Sequence, residues 1–218
     1  MYQNIAIVGG IKTGKTSLVD ALMEEDPTIN RISMARYGIG IPVTLMSAAG
    51  YTDLLEKKKE DYIKMILKNK HIPLIDIKGR MQEIYGFKMK VREKYGPTIM
   101  AETILRTLIP GVQNLVDHVT GINDALCFSK RGFYIVGLHC DFPAKLGRSL
   151  ERGKDPDSND RVNLEELQNY IVSGETLLES RKTIQMSDVV YDTSDISTEL
   201  CQELARKILA ATRKRKKK

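Results

Sequence analysis

The chain has 218 residues, of which 42% are hydrophobic and 28% charged, as expected for a globular protein with a sizeable core. It contains no apolar run of membrane-spanning length, and its first residues fit neither a signal peptide nor a transit peptide, so we expect a cytoplasmic protein without a membrane partner. The three cysteines are far apart and lack paired spacing, which argues against a disulfide framework or a zinc site.

The net charge of +6 comes from the end of the chain. Residues 213–218 are all Lys or Arg, so they account for the whole excess, and the rest of the sequence is formally neutral. We expect this segment to be a disordered, solubilising tail. Nucleic acid could bind the protein only through this tail.

The most informative motif lies close to the N-terminus. Residues 9–16 read G-G-I-K-T-G-K-T, a full match to the phosphate-binding pattern G-x-x-x-x-G-K-[ST]. An apolar strand-like run at 5–8 precedes the motif, and a helix-like pattern at 17–23 follows it, so backbone N–H groups can surround a phosphate at a helix N-terminus. Lys15 is expected to reach the β- and γ-phosphates, and the Thr16 hydroxyl to ligate Mg²⁺. The residues predicted to bind ATP are Gly9, Gly10, Ile11, Lys12, Thr13, Gly14, Lys15, Thr16 and Ser17.

Strands and helices alternate along the rest of the chain. Strands are predicted at 31–35, 114–117, 133–140 and 188–191. Helices are predicted at 143–152, at 163–179, and at 197–211, where Asp195 or Ser197 could be the cap. Residues 38–110 are interpreted as a mostly helical insertion, with helices at 53–69 and 98–109 and short pieces broken at glycines between them. The alternation predicts an α/β fold with a parallel sheet and right-handed crossovers.

An acid near Mg²⁺ is expected where an apolar strand ends in aspartate. Asp117 follows Leu115-Val116, and Asp76 follows Leu74-Ile75. Asp117 lies closer to the predicted main sheet, whereas Asp76 lies inside the insertion, so we prefer Asp117 as the metal ligand. A solvated carboxylate at a strand end is the alternative for either residue.

Several arginines are candidates for contacts with phosphate. Arg148 and Arg152 are four residues apart on one predicted helix face, and both could reach the phosphates when the following polar loop closes. Ordinary surface arginines are the alternative, and Arg161 is a weaker third candidate. Phosphoryl transfer from ATP would also need a second molecule, the acceptor, that receives the phosphoryl group. Arg36, after the second strand, and Arg92, in the insertion, could each hold a phosphate of this acceptor through two parallel hydrogen bonds.

Taken together, these features resemble the nucleoside monophosphate kinase superfamily, and more narrowly the archaeal P-loop kinases described as dephospho-CoA-kinase-like or adenylate-kinase-like. The segments that carry the resemblance are 5–16, 31–34 (R-I-S-M), 92–97 (R-E-K-Y-G-P), 137–139, 148–155 and 187–191. The resemblance implies a P-loop NTPase three-layer sandwich with a parallel five-stranded sheet, within one domain at 1–212. It also implies an acceptor-binding insertion at 38–110 and a short lid at 148–161, whose Arg148 and Arg152 stabilise the transferred phosphoryl group. Residues 192–194 would lie against the adenine edge.

Two departures from that family concern the acceptor. Ala35 stands where the group usually has aspartate after the second strand. The D-G-x-R turn expected after the third strand appears only loosely in residues 117–123, which contain no arginine. Both differences concern the binding of the acceptor more than the binding of ATP.

The resulting prediction is an ATP-dependent phosphotransferase that moves the γ-phosphoryl group to a nucleoside monophosphate or a related phosphorylated small molecule. Adenylate, a deoxynucleotide and dephospho-CoA all remain open as acceptors, and the sequence does not indicate the oligomeric state. A GTP-dependent switch is disfavoured because the sequence lacks the N-K-x-D and D-x-x-G motifs. The alternative is a catalytically weak ATP-binding protein, or a P-loop ATPase or kinase associated with nucleic acid through the tail.

Overall fold

The computed structural model describes residues 2–10, 12–34, 51–68, 81–119, 121–153 and 181–213. The strands are β1 (Ile5–Gly9), β2 (Asn30–Ser33), β3 (Asn114–Val119), β4 (Tyr134–His139) and β5 (Val189–Asp192). The helices are α1 (Lys15–Glu25), α2 (Tyr51–Glu56), α3 (Lys59–Lys68), α4 (Met81–Tyr95), α5 (Ile99–Leu105), α6 (Ile122–Lys130), α7 (Phe142–Gly153) and α8 (Thr198–Arg213). Within the described ranges no helix combines the length and apolar character needed to cross a membrane.

The strands form one five-stranded sheet in the order β2-β3-β1-β4-β5. β1 pairs in parallel with β3 and with β4, and β4 pairs in parallel with β5. All five residues of β1 are buried, because a central parallel strand is covered on both faces and must be apolar on both. The predicted α/β sandwich with a five-stranded parallel sheet is confirmed. The carboxyl ends of β1, β3 and β4 therefore lie at one edge of the sheet.

Helices α1 and α8 cover one face of this sheet. Their packed side chains share a core with the inward-facing residues of β1, β3 and β4: Ile5, Ile7, Leu18, Leu22, Leu115, Val136, Leu204 and Ile208. The backbone N–H of Leu200 donates to Ser197 Oγ at 3.2 Å, so Ser197 is the cap of α8. The helix runs on to Arg213, the residue at which the tail was predicted to begin, and the Arg213 guanidinium pairs with Asp26.

A helix that the sequence analysis did not predict packs against β1 and β4. It is α6, which begins at the end of residues 117–123, the segment interpreted as a loose turn after the third strand, and continues beyond it. Phe128 of this helix contacts Phe133 at the start of β4, with ring centroids 5.1 Å apart. Its buried apolar residues are Ala125 and Phe128. So short a stripe gives almost no helical periodicity in the sequence.

Residues 32–109 form a second compact unit, whose described helices are those of the predicted insertion. The prediction of one helix over 53–69 was wrong, because α2 ends at Glu56 and α3 begins at Lys59. The Tyr95 hydroxyl lies 3.0 Å from the Leu54 carbonyl oxygen and also contacts that of Lys57. These contacts give the carbonyl groups at the break a partner outside the helix. The predicted helix at 163–179 lies outside the described residues.

The short pieces predicted around Gly86 are in fact one helix, α4. Phe87 and Val91, one turn apart, are fully buried, and this packing offsets the low helix propensity of glycine. Gly86 itself is exposed, and a Cβ added there would meet no atom within 4 Å.

We expect Gly86→Ala to raise the free energy of unfolding by about 0.5–1 kcal/mol, because alanine loses less backbone entropy than glycine in a helix. Urea unfolding is the measurement. Gly96→Ala is the matched control, since Gly96 is equally open but has a φ of 104°, and we expect it to destabilise. A loss of stability in Gly86→Ala would contradict a continuous α4.

Candidate phosphate-binding site

The turn between β1 and α1 requires glycine at two positions of the motif. Gly9 has a φ of 154°, and a Cβ there would lie 2.9 Å from both the Leu138 carbonyl oxygen and Thr13 Oγ1. Gly14 has a φ of 78° and is the left-handed residue that begins α1. Larger side chains fit neither position without strain. The loop therefore brings its backbone close to its surroundings and leads directly into the N-terminus of α1, the end of a helix that favours anions.

Lys15 is buried within this loop, with a fractional exposure of 7%. Its Nζ donates to the carbonyl oxygen of Gly9 at 3.0 Å and also to that of Gly10. Burial lowers the pKa of the Lys15 ammonium to about 8, the nearby Asp117 carboxylate opposes that shift, and the charge of Lys145 adds to it. The ammonium is thus folded onto carbonyl groups of its own loop, and phosphate oxygens can take their place.

We expect the stability of the protein to rise with pH above about 8 because of Lys15. The pKa of this group is about 8 in the folded protein, against an ordinary value of 10.5. Between these values the unfolded chain holds a proton that the folded chain has released, so raising the pH favours folding, with a slope of at most about 1.4 kcal/mol per pH unit. The measurement is the difference in unfolding free energy between wild type and Lys15→Met from about pH 7 to 9.5. A difference that stays constant across this range would contradict the lowered pKa.

Asp117 is a fully buried carboxylate in β3, and two cationic or potentially cationic groups hold it. Nε and Nη2 of Arg31 both lie 2.8 Å from its Oδ2. Nδ1 of His118 lies 2.9 Å from its Oδ1. Arg31 also reaches Asp20 on α1, at 3.2 Å. The sequence pattern indicated Asp117 but neither of these two partners.

A β-bulge sets the direction of the Asp117 side chain. Ala6 pairs with Val116 and Val8 with Val119, so β3 has one residue more than β1 between these two pairs. The extra length is taken up at His118, which has a left-handed φ of 57°. Bulges of this kind re-aim neighbouring side chains and are common near functional sites.

The donor groups here suit Mg²⁺ in part. Mg²⁺ prefers oxygen ligands and usually keeps several waters and substrate phosphates in its shell. The exposed hydroxyl of Thr16, next to Lys15 in the first turn of α1, fits that role. Oδ2 of Asp117 already has two contacts with Arg31 and Oδ1 has one with His118, so direct ligation of such an ion would compete with these partners. Direct ligation by Asp117 stays a prediction that this arrangement does not favour.

Arg148 has contacts that its predicted role did not include. Its Nη1 donates to the Lys12 carbonyl oxygen at 2.8 Å and lies 3.1 Å from Cys140 Sγ. Its Nη2 donates to the carbonyl oxygen of Ser194 at 3.0 Å and to that of Thr193. The guanidinium group therefore joins the loop between β1 and α1, called the phosphate loop from here on, to the turn that follows β5. A catalytic role would require Arg148 to leave these carbonyl groups.

The turn predicted to face adenine, residues 192–194, is tied to the same loop. Thr193 is fully buried, and its Oγ1 lies 2.9 Å from the Thr13 carbonyl oxygen and 2.7 Å from that of His139. The backbone N–H and the hydroxyl of Ser194 both donate to Asp192 Oδ1, and these hydrogen bonds lower the pKa of that carboxyl group. The turn is therefore fixed in position beside the phosphate loop.

The other candidates are described only in part. Arg92 is half-buried on α4, in the unit of residues 32–109. Arg152 lies at the end of α7, and its side chain is outside the description. The candidates that lie wholly outside the described residues are Ile11, Ala35, Arg36, Asp76 and Arg161. The acceptor-binding role of Arg36 and Arg92 and the lid role of Arg152 therefore stay predictions.

A parallel five-stranded sheet with a phosphate loop after its first strand and helices inserted after its second is the α/β fold of the P-loop kinases. Among solved structures the chain is similar to the shikimate kinase of Bacteroides thetaiotaomicron, with a TM-score of 0.54 and 12% identity over 96% of this chain and 99% of that one. It also matches the shikimate kinase of Acinetobacter baumannii, with a TM-score of 0.48 and 16% identity over 100% of this chain and 97% of that one. The dephospho-CoA kinase of Campylobacter jejuni matches with a TM-score of 0.43 and 12% identity over 96% and 97% of the two chains. No protein-family model matches the chain, and no curated protein matches it in sequence. At such low identity the likeness shows the fold alone.

Proposed function

We propose that the protein is an ATP-dependent phosphotransferase that moves the γ-phosphoryl group of ATP to a nucleoside monophosphate or a related phosphorylated small molecule. The observation that carries this proposal is the buried ammonium of Lys15, held on the Gly9 and Gly10 carbonyl groups at the carboxyl edge of a parallel sheet. Such a loop offers backbone N–H groups and one cation to the same anion.

The roles of the residues follow from what phosphoryl transfer needs, which is mainly positioning and stabilisation of charge. Lys15 would exchange its carbonyl partners for oxygens of the β- and γ-phosphates. Thr16 would hold Mg²⁺, which when bound neutralises part of the phosphate charge. Asp117, fixed by Arg31 and His118, raises the pKa of Lys15 and so favours the ammonium form that binds phosphate.

The acceptor is the less defined part of the proposal. Residues 38–110 would bind it, with Arg36 or Arg92 holding its phosphate, and the 148–161 segment would close over the transferred group. Shikimate kinase, to which the fold is similar, is named for a substrate other than a nucleotide. Shikimate therefore belongs in any panel of candidate acceptors, together with monophosphates.

The test is a coupled assay of ADP release at fixed ATP·Mg²⁺ across nucleoside monophosphates, deoxynucleoside monophosphates, dephospho-CoA and shikimate. We expect one monophosphate class to raise ADP release well above the rate with ATP alone. Stimulation by shikimate alone would keep the kinase activity and overturn the acceptor class. A protein that binds ATP but shows no stimulation with any acceptor would overturn the phosphotransferase proposal.

The same assay separates a small-molecule kinase from an enzyme recruited to nucleic acid. The variant lacks residues 214–218 but keeps Arg213, because Arg213 pairs with Asp26 within the folded chain. We expect unchanged turnover with the small acceptor. Activity that depends on added polynucleotide and on these residues would favour the alternative.

A further inference from the structure

We propose that Lys145, on α7, is the cation that stabilises the transferred phosphoryl group, and that Arg148 is a positioning residue. The inference rests on the proposed phosphotransferase function and names a residue of the same site. Lys145 belongs to none of the sequence motifs described above, and it lies on α7 three residues before Arg148, whose guanidinium reaches the Lys12 carbonyl oxygen.

Arg148 is already committed to other contacts. The two terminal nitrogens of a guanidinium group carry two N–H donors each. Nη1 has the Lys12 carbonyl oxygen and Cys140 Sγ as partners, and Nη2 has the carbonyl oxygens of Thr193 and Ser194. Turning the guanidinium toward a phosphate would break all four contacts and leave Thr193 to link the phosphate loop to the turn after β5. Arg148 is therefore better suited to hold α7 against the loop than to contact the reacting group.

Lys145 lies between two points at which α7 is fixed. At the start of the helix, the backbone N–H of Ala144 donates to Asp141 Oδ1 at 2.8 Å, and the backbone N–H of Asp141 donates to Ser194 Oγ at 3.0 Å. Almost one turn after Lys145, Arg148 reaches the phosphate loop through the Lys12 carbonyl oxygen. Residues three apart share a helix face. Lys145 therefore shares a face of α7 with Arg148, the residue that contacts the loop.

The electrostatics of the site agree with this placement. The charge of Lys145 is close enough to Lys15 to contribute to the lowering of its pKa. Two ammonium groups close enough to interact repel each other, and an anion bound near both relieves the repulsion. The γ-phosphoryl group, with its charge spread over three oxygens during transfer, is an anion of this kind.

The proposed step leaves both lysines chemically unchanged. The bond from the γ-phosphorus to the bridging oxygen breaks, and ADP leaves with the electron pair. A new bond forms from the γ-phosphorus to an acceptor phosphate oxygen, which carries no proton when it is ionised. Lys145 keeps its protons and acts by its charge alone.

The test uses the full chain with ADP·Mg²⁺, alone and with fluoroaluminate, which imitates the planar phosphoryl group during transfer. We expect Lys145→Gln to bind ADP·Mg²⁺ within about twofold of wild type and the fluoroaluminate complex about tenfold to a hundredfold more weakly. Lys145→Arg should retain most of the preference for the fluoroaluminate complex, because it keeps the charge. Lys130→Gln, an exposed lysine on α6, is the matched control and should change neither affinity. Arg148→Lys should weaken both complexes equally and lower the melting temperature, as a positioning role requires.

The outcomes separate this inference from the proposed function. Failure of the wild type to bind ADP·Mg²⁺ would overturn the proposed function itself. A Lys145→Gln variant that binds the fluoroaluminate complex as well as wild type, or that loses ADP·Mg²⁺ and the complex equally, would overturn only the role of Lys145. If Lys145→Gln has a lowered melting temperature, the result for Lys145→Arg decides. Loss of the preference for the fluoroaluminate complex in Lys145→Arg as well would exclude the proposed role of Lys145 in stabilising the phosphoryl group.

Discussion

Lys15→Ala is expected to lower ATP turnover by about a hundredfold to a thousandfold, the usual loss when one preorganised donor to a developing charge is removed. The side chain is buried, and its Nζ contacts two carbonyl groups of the very loop that would surround the phosphates. Alanine keeps the helix propensity at the start of α1 and removes a desolvated charge, so we expect the fold to survive. Coupled ADP release measures the turnover, and thermal unfolding checks the fold.

Lys207→Ala is the matched control for that experiment. Lys207 is an exposed lysine on α8 whose partner is Glu203, at 2.5 Å. Exposed pairs of this kind add little to stability, so turnover and melting temperature should both stay at wild-type values. Wild-type turnover in a well-folded Lys15→Ala protein would show that the phosphate loop is not the site of ATP chemistry.

Arg31→Met is expected to lower the free energy of unfolding by about 3 kcal/mol, because it leaves the buried Asp117 carboxylate without its guanidinium partner. Asp117 has a fractional exposure of 0%, so the two contacts that Arg31 makes with Oδ2 stand in for contacts with water. The remaining contact with His118 limits the loss. Equilibrium unfolding in urea measures the effect.

Two further variants show whether that loss comes from the buried carboxylate. Asp20→Asn removes the exposed partner of Arg31, and we expect a change below about 0.5 kcal/mol. Combining Arg31→Met with Asp117→Asn should recover part of the lost stability, because the buried group then has no charge. An Arg31→Met protein as stable as Asp20→Asn would mean that Asp117 does not depend on Arg31.

The sequence predicted what short stretches of chain determine. The strand, turn and helix around residues 5–25 are adjacent in sequence, and the glycines required by the turn stand within the motif itself. Apolar runs likewise located β3, β4 and β5. The capping residue Ser197 was one of two candidates within three positions, and only the hydrogen bond to the Leu200 N–H distinguishes it.

The rest of the site depends on contacts between distant parts of the chain. Arg148 is 136 residues from Lys12 and 46 from Ser194, and Arg31 is 86 residues from Asp117. No local pattern reports such pairs, so the sequence could not indicate that Arg148 contacts the carbonyl oxygens of Lys12 and Ser194. Helices were missed for a related reason. Gly86 looks like a break until the packing of Phe87 is known.

The extra residue in β3 also affects how this chain can be aligned with its relatives. A protein whose third strand is regular would have one residue fewer between the positions of Val116 and Val119. An alignment without a gap would then pair the acidic residue at the end of that protein's third strand with His118, or would shift all the following residues by one position. The gap belongs at His118, and homologues that keep the bulge should often have Gly or Asn there, since these residues adopt the left-handed conformation most easily.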